Sequence, residues 1–406
     1  MTPDASVESS NPEQAERSAA RGVRVRRIKF CVVATADMTI QSLCRGRLEY
    51  FSEHGFDVTV VCAPTPLAAE IEARGVRLFT APLRRAITPM ADVRSVVRLW
   101  RFFRREAFDL IEVSTPKAAL LGAVAARLAG ARCVVHLLRG LAYHGQSTIQ
   151  RRLLMWSQRC PCRLAHYVVG VSHSLREQAD ADGVCPGDRM IVLGEGSSNG
   201  VDLEHFSPRL RAGRDEVRRR WNLPTEAVVI GFVGRMTGDK GLVELVDAME
   251  MLVDRGAPLA LLLVGDYEER DRPPRRTLDA ISAHGWIRHV GWQSDPAPFF
   301  GAMDVLALPS HREGFNNVLL HASAAGLPVV TTTAVGCRDA VRDGVTGWCV
   351  PPGDSKALAA ALGKLLEAPE MRERMGAEGR EWVAQHFAQE RVWAMQEALF
   401  RDVVGA

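Results

Sequence analysis

Gly231-Phe-Val-Gly-Arg-Met-Thr-Gly-Asp-Lys-Gly241 is the stretch on which the reading of this chain turns. An apolar run, Ala227–Val233, leads into a glycine-containing loop, and an amphipathic segment, Leu242–Arg255, follows. That is a strand, a turn and a helix. The first N–H groups of a helix have no partner within it and attract anions. Arg235 and Lys240 stand five residues apart in the turn. A guanidinium fork and a mobile ammonium at a helix start suit a diphosphate. Lys240 carries extra weight because the chain has only five lysines against 46 arginines.

Downstream, Asp304–Pro309 reads as another buried strand. It runs into Ser310-His-Arg-Glu-Gly-Phe-Asn-Asn-Val-Leu-Leu-His321. Asn316 or Asn317 begins a helix there, since Asn is a favoured N-cap. The N–H groups of Asn317 and Val318 are then offered to a phosphate, and Glu313 is placed to accept hydrogen bonds from sugar hydroxyls.

Strand-like and helical runs alternate along the whole chain. In the first half the strands are Ile28–Ala34, Asp57–Ala63, Arg77–Leu83, Asp109–Ser114, Arg132–Leu138, His166–Ser172 and Met190–Leu193. In the second they are Ala227–Val233, Leu259–Gly265, Ile287–Gly291, Asp304–Pro309 and Pro328–Thr332. Near-continuous apolar strands between helices imply parallel sheets covered on both faces. The alternation breaks at Gly194–Gly200, and the charged stretch 207–220 reads as a linker and a short helix. The predicted organisation is a tail at 1–25, an α/β domain at 26–200, a second at 201–385, and a terminal helix at 386–406 returning to the first. Two open doubly wound sheets facing one another leave a cleft at their strand ends, where ligands bind in such folds.

Composition narrows the classes. The chain has 406 residues, 47% hydrophobic and 24% charged, with a net charge of +3. That excludes a mainly disordered or fibrous chain and argues against a nucleic-acid-coating protein. No window reaches the ~18 uninterrupted apolar residues of a membrane span; the stretch Ala118–Val135 is interrupted by Arg127 and Arg132. Residues 1–20 lack a secretory pattern, and the nine cysteines are scattered, so a cytoplasmic location is expected. Cys31, Cys62, Cys133, Cys337 and Cys349 lie in strand-like runs as small hydrophobes. Asp180-Ala-Asp182 has metal-type spacing but sits at a helix end and is not read as a metal site.

In the helix Asp92–Ala107, Arg94, Arg98, Arg101 and Arg105 share one face. Val93, Val96, Val97, Trp100 and Phe103 are assigned to the opposite, packed face. The basic side is either solvated or a contact with anionic lipid at the inner face of the plasma membrane.

Several segments together resemble a family-four retaining glycosyltransferase of the GT-B fold, in the branch that builds capsule, exopolysaccharide and lipid-linked oligosaccharide. They include Thr115-Pro-Lys-Ala-Ala-Leu-Leu-Gly, Gly196-Ser-Ser-Asn-Gly-Val-Asp, Gly231–Gly241, Glu313-Gly-Phe, Gly326-Leu-Pro-Val-Val and Val350-Pro-Pro-Gly-Asp. The resemblance implies two Rossmann-like domains about a central cleft. It implies a nucleotide-sugar donor, UDP-linked, a lipid-linked or glycan acceptor, and no cofactor, metal or nucleic-acid partner. It assigns the diphosphate to Arg235 and Lys240 and the donor sugar to Glu313. Gly234, Gly314, Phe315, Asn317 and Val318 line the donor site, and Arg139 and His144 stand on the acceptor side. The chain departs from the family at His321, where the pattern has a second Glu for the ribose; a neutral imidazole accepts one hydrogen bond, not two. Arg139 likewise stands where many members have His. Two alternatives follow: a degenerate, weakly binding scaffold of an assembly complex, or a sugar-nucleotide epimerase.

Overall fold

The computed structural model describes residues 26–35, 46–65, 68–83, 88–143, 148–254, 256, 258–268 and 271–405. The predicted tail at 1–25 and His144 lie outside the described residues.

The first half is built from β1 (Ile28–Val33), α1 (Arg47–Glu53), β2 (Phe56–Cys62), α2 (Ala68–Ala73), β3 (Arg77–Thr80) and α3 (Pro89–Glu106). It continues through β4 (Leu110–Ser114), α4 (Pro116–Ala129), β5 (Val134–Leu138), α5 (Thr148–Leu164), β6 (Tyr167–Gly170), α6 (His173–Ala181) and β7 (Met190–Val192). All pairings are parallel, in the order β3-β2-β1-β4-β5-β6-β7. The chain winds outward from β1 in one direction, then outward from β4 in the other. Right-handed crossovers therefore put α1 and α2 on one face and α3, α4 and α5 on the other.

The second half follows the same logic. It contains α7 (Arg214–Arg220), β8 (Val228–Val233), α8 (Leu242–Val253), β9 (Leu259–Val264), α9 (Arg275–Ala283), β10 (Ile287–His289), α10 (Ala297–Ala302) and β11 (Val305–Leu308). Then come α11 (Asn317–Ala324), β12 (Val329–Thr332), β13 (Gly347–Val350), α12 (Ser355–Glu367), α13 (Pro369–His386) and α14 (Gln389–Val404). The sheet order is β10-β9-β8-β11-β12-β13. The order reverses between β8 and β11, so the loops after these two strands flank a topological switch point.

Four expectations are corrected. β13 is missing from the strands read off the sequence, although Cys349 is rightly placed in a strand-like run: Trp348 and Cys349 are only part-buried on this edge strand, and its apolar pattern is weak. Cys337 is not in a strand but begins the short turn Arg338–Ala340. The charged stretch 207–220 contains the expected short helix, Arg214–Arg220, but is no free linker. Arg218 is 1% exposed, donating to the Ala302 and Ala227 carbonyls and pairing with Asp304 at 2.8 Å. Val93 and Val97 are not packed; Leu99, Phe102 and Phe103 are, and Val93 is 62% exposed.

The terminal helix α14 lies against the first sheet. Phe400 packs on Phe30 and Phe51. The Gln396 amide accepts from Arg47 Nε at 2.6 Å and donates to the Ser198 carbonyl at 2.9 Å, while Arg47 makes a two-pronged pair with Glu112. Arg47 and Glu112 are both buried, which is tolerable only because each is hydrogen-bonded.

Candidate active site

The cleft is shaped first by backbone. Gly241 has φ 73°, and a Cβ there would stand 2.0 Å from the Pro309 carbonyl oxygen. Only glycine lets the loop after β8 press on the end of β11. Gly314 meets the other half of the chain: a Cβ on it would lie 1.6 Å from the Arg139 carbonyl oxygen. The Ser172 hydroxyl donates to the Gly314 carbonyl at 2.8 Å, and the Ser174 N–H donates to Asp339 at 2.9 Å. The two sheets are thus stitched together beside the loop that carries Glu313.

Between them lies a cavity of about 360 Å³, lined by Arg139 and Gly140 on one side and by Arg235, Lys240, Glu313 and Gly314 on the other. Lys240 and Glu313, 73 residues apart, form an ion pair through Lys240 Nζ and Glu313 Oε1. The same oxygen accepts from Ser310 Oγ at 3.0 Å and Asn316 Nδ2 at 3.1 Å. Three donors on one carboxylate oxygen fix its orientation. Both partners of the pair are about 15% exposed, so it is weakly screened and still open to the cavity.

Arg235 is held elsewhere. It pairs with Glu268 in the loop after β9 and remains 62% exposed at the cavity rim. Asp239 accepts from Thr237 at 2.5 Å and pairs with Arg312 at 3.3 Å. Burial raises the Asp239 pKa, but the Thr237 hydrogen bond and the Lys240 and Arg312 charges outweigh it and hold the carboxyl below its usual range. The result is a cluster of alternating charges, Glu268–Arg235 and Arg312–Asp239 around Lys240–Glu313. An incoming dianion can compete with these carboxylates for their cations.

The remaining sequence candidates fall as follows. Gly234 (φ 152°) opens the β8 loop. Asn316 is the N-cap of α11, and its side chain already accepts from the Val318 N–H at 3.2 Å. That N–H is therefore engaged rather than offered to a phosphate. Asn317 Oδ1 accepts from Ser197 Oγ at 3.1 Å. Phe315 packs into both hydrophobic cores and touches Phe387, a seam residue. Arg139 donates to Ser198 Oγ at 2.5 Å. His321 lies face to face on Phe206, with centroids 4.0 Å apart, and burial pushes its pKa down to about 4. It is neutral at physiological pH. Asp182 accepts from the Tyr143 hydroxyl at 2.7 Å and from Gln178, a structural role.

Sequence reading missed Glu268, Asp239, Arg312, Ser310 and the carboxylate contact of Asn316. It also missed His136 on β5, buried in the cavity wall. Its Nδ1 lies 3.2 Å from the Val113 carbonyl, so that nitrogen carries the proton. Its Nε2 has no partner among the described residues.

Residues 227–368 match the glycosyl transferases group 1 family, and residues 39–196 match the glycosyl transferase 4-like domain. The chain belongs to this glycosyltransferase family and has its GT-B fold. It is 28% identical to the capsular polysaccharide biosynthesis glycosyltransferase CapM of Staphylococcus aureus, over 88% of this chain and 93% of that one. It is 24% identical to an Escherichia coli UDP-Gal:alpha-D-GlcNAc-diphosphoundecaprenol alpha-1,3-galactosyltransferase, over 81% and 84% of the two chains. Solved structures with the same fold include a glycosyltransferase from Rickettsia africae (TM-score 0.77, 17% identity, 93% and 99% covered). Another is Anabaena Alr3699/HepE in complex with UDP and glucose (TM-score 0.75, 20% identity, 92% and 99% covered).

Proposed function

We propose that this glycosyltransferase moves a hexose or N-acetylhexosamine from a UDP-sugar to a lipid-linked or polysaccharide acceptor, with retention and without a metal. The observation that carries the reading is the Lys240–Glu313 pair at the switch point, with Arg235 at the rim. Lys240 and Arg235 neutralise the departing diphosphate, and Glu313 orients the sugar hydroxyls. The bond from the anomeric carbon to the phosphate oxygen breaks as the acceptor hydroxyl bonds to the same face. The leaving phosphate oxygen takes the acceptor proton. We assign the donor to residues 201–385 and the acceptor to 26–200, where Arg139 reaches the cavity. The relatives named above support the acceptor class. An acceptor in lipid implies a protein held peripherally at the cytoplasmic membrane face.

One observation favours a second reading. His321 is neutral and pressed on Phe206 where the family pattern has a ribose-binding carboxylate. A weakly binding scaffold follows if that contact is essential. Titration with UDP, then UDP release across a panel of UDP-sugars, separates the two. Binding with release supports the enzyme; no binding at millimolar UDP supports the scaffold.

A further inference from the structure

Helices α3, α4 and α5 cover one face of the first sheet, with α4 packed against both neighbours. Together they carry eleven basic side chains and two acidic ones. The chain as a whole is only +3, so the remainder is net negative. Both acids are neutralised at the ends of α3: Asp92 pairs with Lys117, and Glu106 with Arg77 and Arg105. Arg94, Arg98, Arg101, Arg152 and Arg163 are exposed and have no carboxylate partner among the described residues.

Aliphatic and aromatic groups stand among these cations. On α5, Ile149 is 82% exposed, Leu153 52% and Trp156 59%. Steps of four and three align them on one stripe, and Arg152 and Arg163 flank it. On α3, Met90 and Val93 are exposed beside Arg94 and Arg98. A groove of about 570 Å³ runs along it over Phe79 and Phe102, with the Arg98 guanidinium 5.2 Å from the Phe79 ring. α5 also borders the active-site cavity through Gln158 and Pro161.

We propose that α3 and α5 form one face that seats on an anionic lipid bilayer, with Ile149, Leu153 and Trp156 entering the boundary between headgroups and acyl chains. The proposal rests on the reading of the acceptor as lipid-linked, and it adds which surface meets the lipid. A second copy of the chain is a poor occupant, because the face would meet its own positive charge. Nucleic acid would satisfy the arginines but leave the Ile149–Leu153–Trp156 stripe in water. A bilayer satisfies both: arginine heads reach phosphates while their stems and the stripe lie in the apolar layer. Seated so, the protein holds the cavity mouth next to an acceptor anchored in the same membrane.

The test is sedimentation of the full chain with phosphatidylglycerol–phosphatidylcholine vesicles and with pure phosphatidylcholine vesicles. The expected result is binding to the anionic vesicles alone. The combined change Ile149→Ser, Leu153→Ser, Trp156→Ser should weaken it about tenfold or more, as should Arg94→Glu, Arg98→Glu, Arg101→Glu. UDP release from a soluble UDP-sugar should be unchanged in both. All six sites are exposed, and melting curves check that the variants fold. Wild-type protein left in the supernatant with anionic vesicles overturns the proposal, as does full binding by the serine variant. Equal binding to a single-stranded RNA by wild type and serine variant, without vesicle binding, assigns the face to nucleic acid instead. Loss of UDP release in the wild type would refute the donor reading while leaving the vesicle result to stand by itself.

Discussion

The two cationic regions of this molecule are built in opposite ways. At the switch point every cation is held by a carboxylate: Lys240 by Glu313, Arg235 by Glu268, Arg312 by Asp239. On the α3–α5 face, cations stand exposed among apolar side chains, and the few acids are already taken. Paired cations in a cavity are pre-aimed and released by one competing dianion. Exposed cations on a broad face add many weak attractions to a diffuse anionic surface. One residue type thus serves local recognition in one half and surface adhesion in the other, and what decides is the placement of carboxylates.

That contrast is open to attack by mutation. Lys240→Ala should lower turnover on the order of 10²-fold or more, the scale of one lost transition-state charge contact. Arg101→Ala, at one exposed cation of the other region, should leave UDP release from a soluble donor within about twofold. Comparable losses in both would erase the distinction.

Acid should also act on the switch-point half through His321. Its folded pKa is depressed to about 4 from 6.5, so the unfolded chain binds its proton first. Stability is therefore fully present above pH ~6.5 and falls as pH drops toward 4, by up to about 3 kcal/mol. His136, also pushed down to about 4 by burial, contributes stability that is lost over the same pH range. Thermal melting across that range should show the slope, and His321→Gln should flatten part of it. An unchanged slope would mean the ring is not held against Phe206 in solution.

The smallest effect is expected at the rim. Glu268→Ala frees Arg235, and KM for the UDP-sugar should shift only a few-fold, because an exposed pair contributes ~0–1 kcal/mol. A shift of 10²-fold would place Glu268 in direct contact with donor.

These regions were unequally legible in the sequence. The two-sheet α/β architecture followed from long apolar strands between amphipathic helices. Lys240 and Glu313 could be singled out because each follows a buried strand directly, and the loop after such a strand faces the cleft. Their partners could not. Glu268 and Asp239 act through contacts between loops 33 and 73 residues apart, which no local pattern encodes. His136 sits mid-strand in an apolar run, where it reads as filler. The α5 stripe was missed because Ile149, Leu153 and Trp156 have the same spacing as a core-facing stripe. Periodicity reports that a helix has an apolar side, not whether that side is covered. Val93 and Val97 were assigned to the packed face for the same reason.

The central claim is that Lys240, held in register by Glu313, receives the diphosphate of a nucleotide donor. Calorimetric titration of UDP into wild type and Lys240→Ala tests it most directly. Saturable binding by the wild type, weakened about tenfold or more in the variant, is the predicted result. Equal UDP affinity in the two proteins would contradict it.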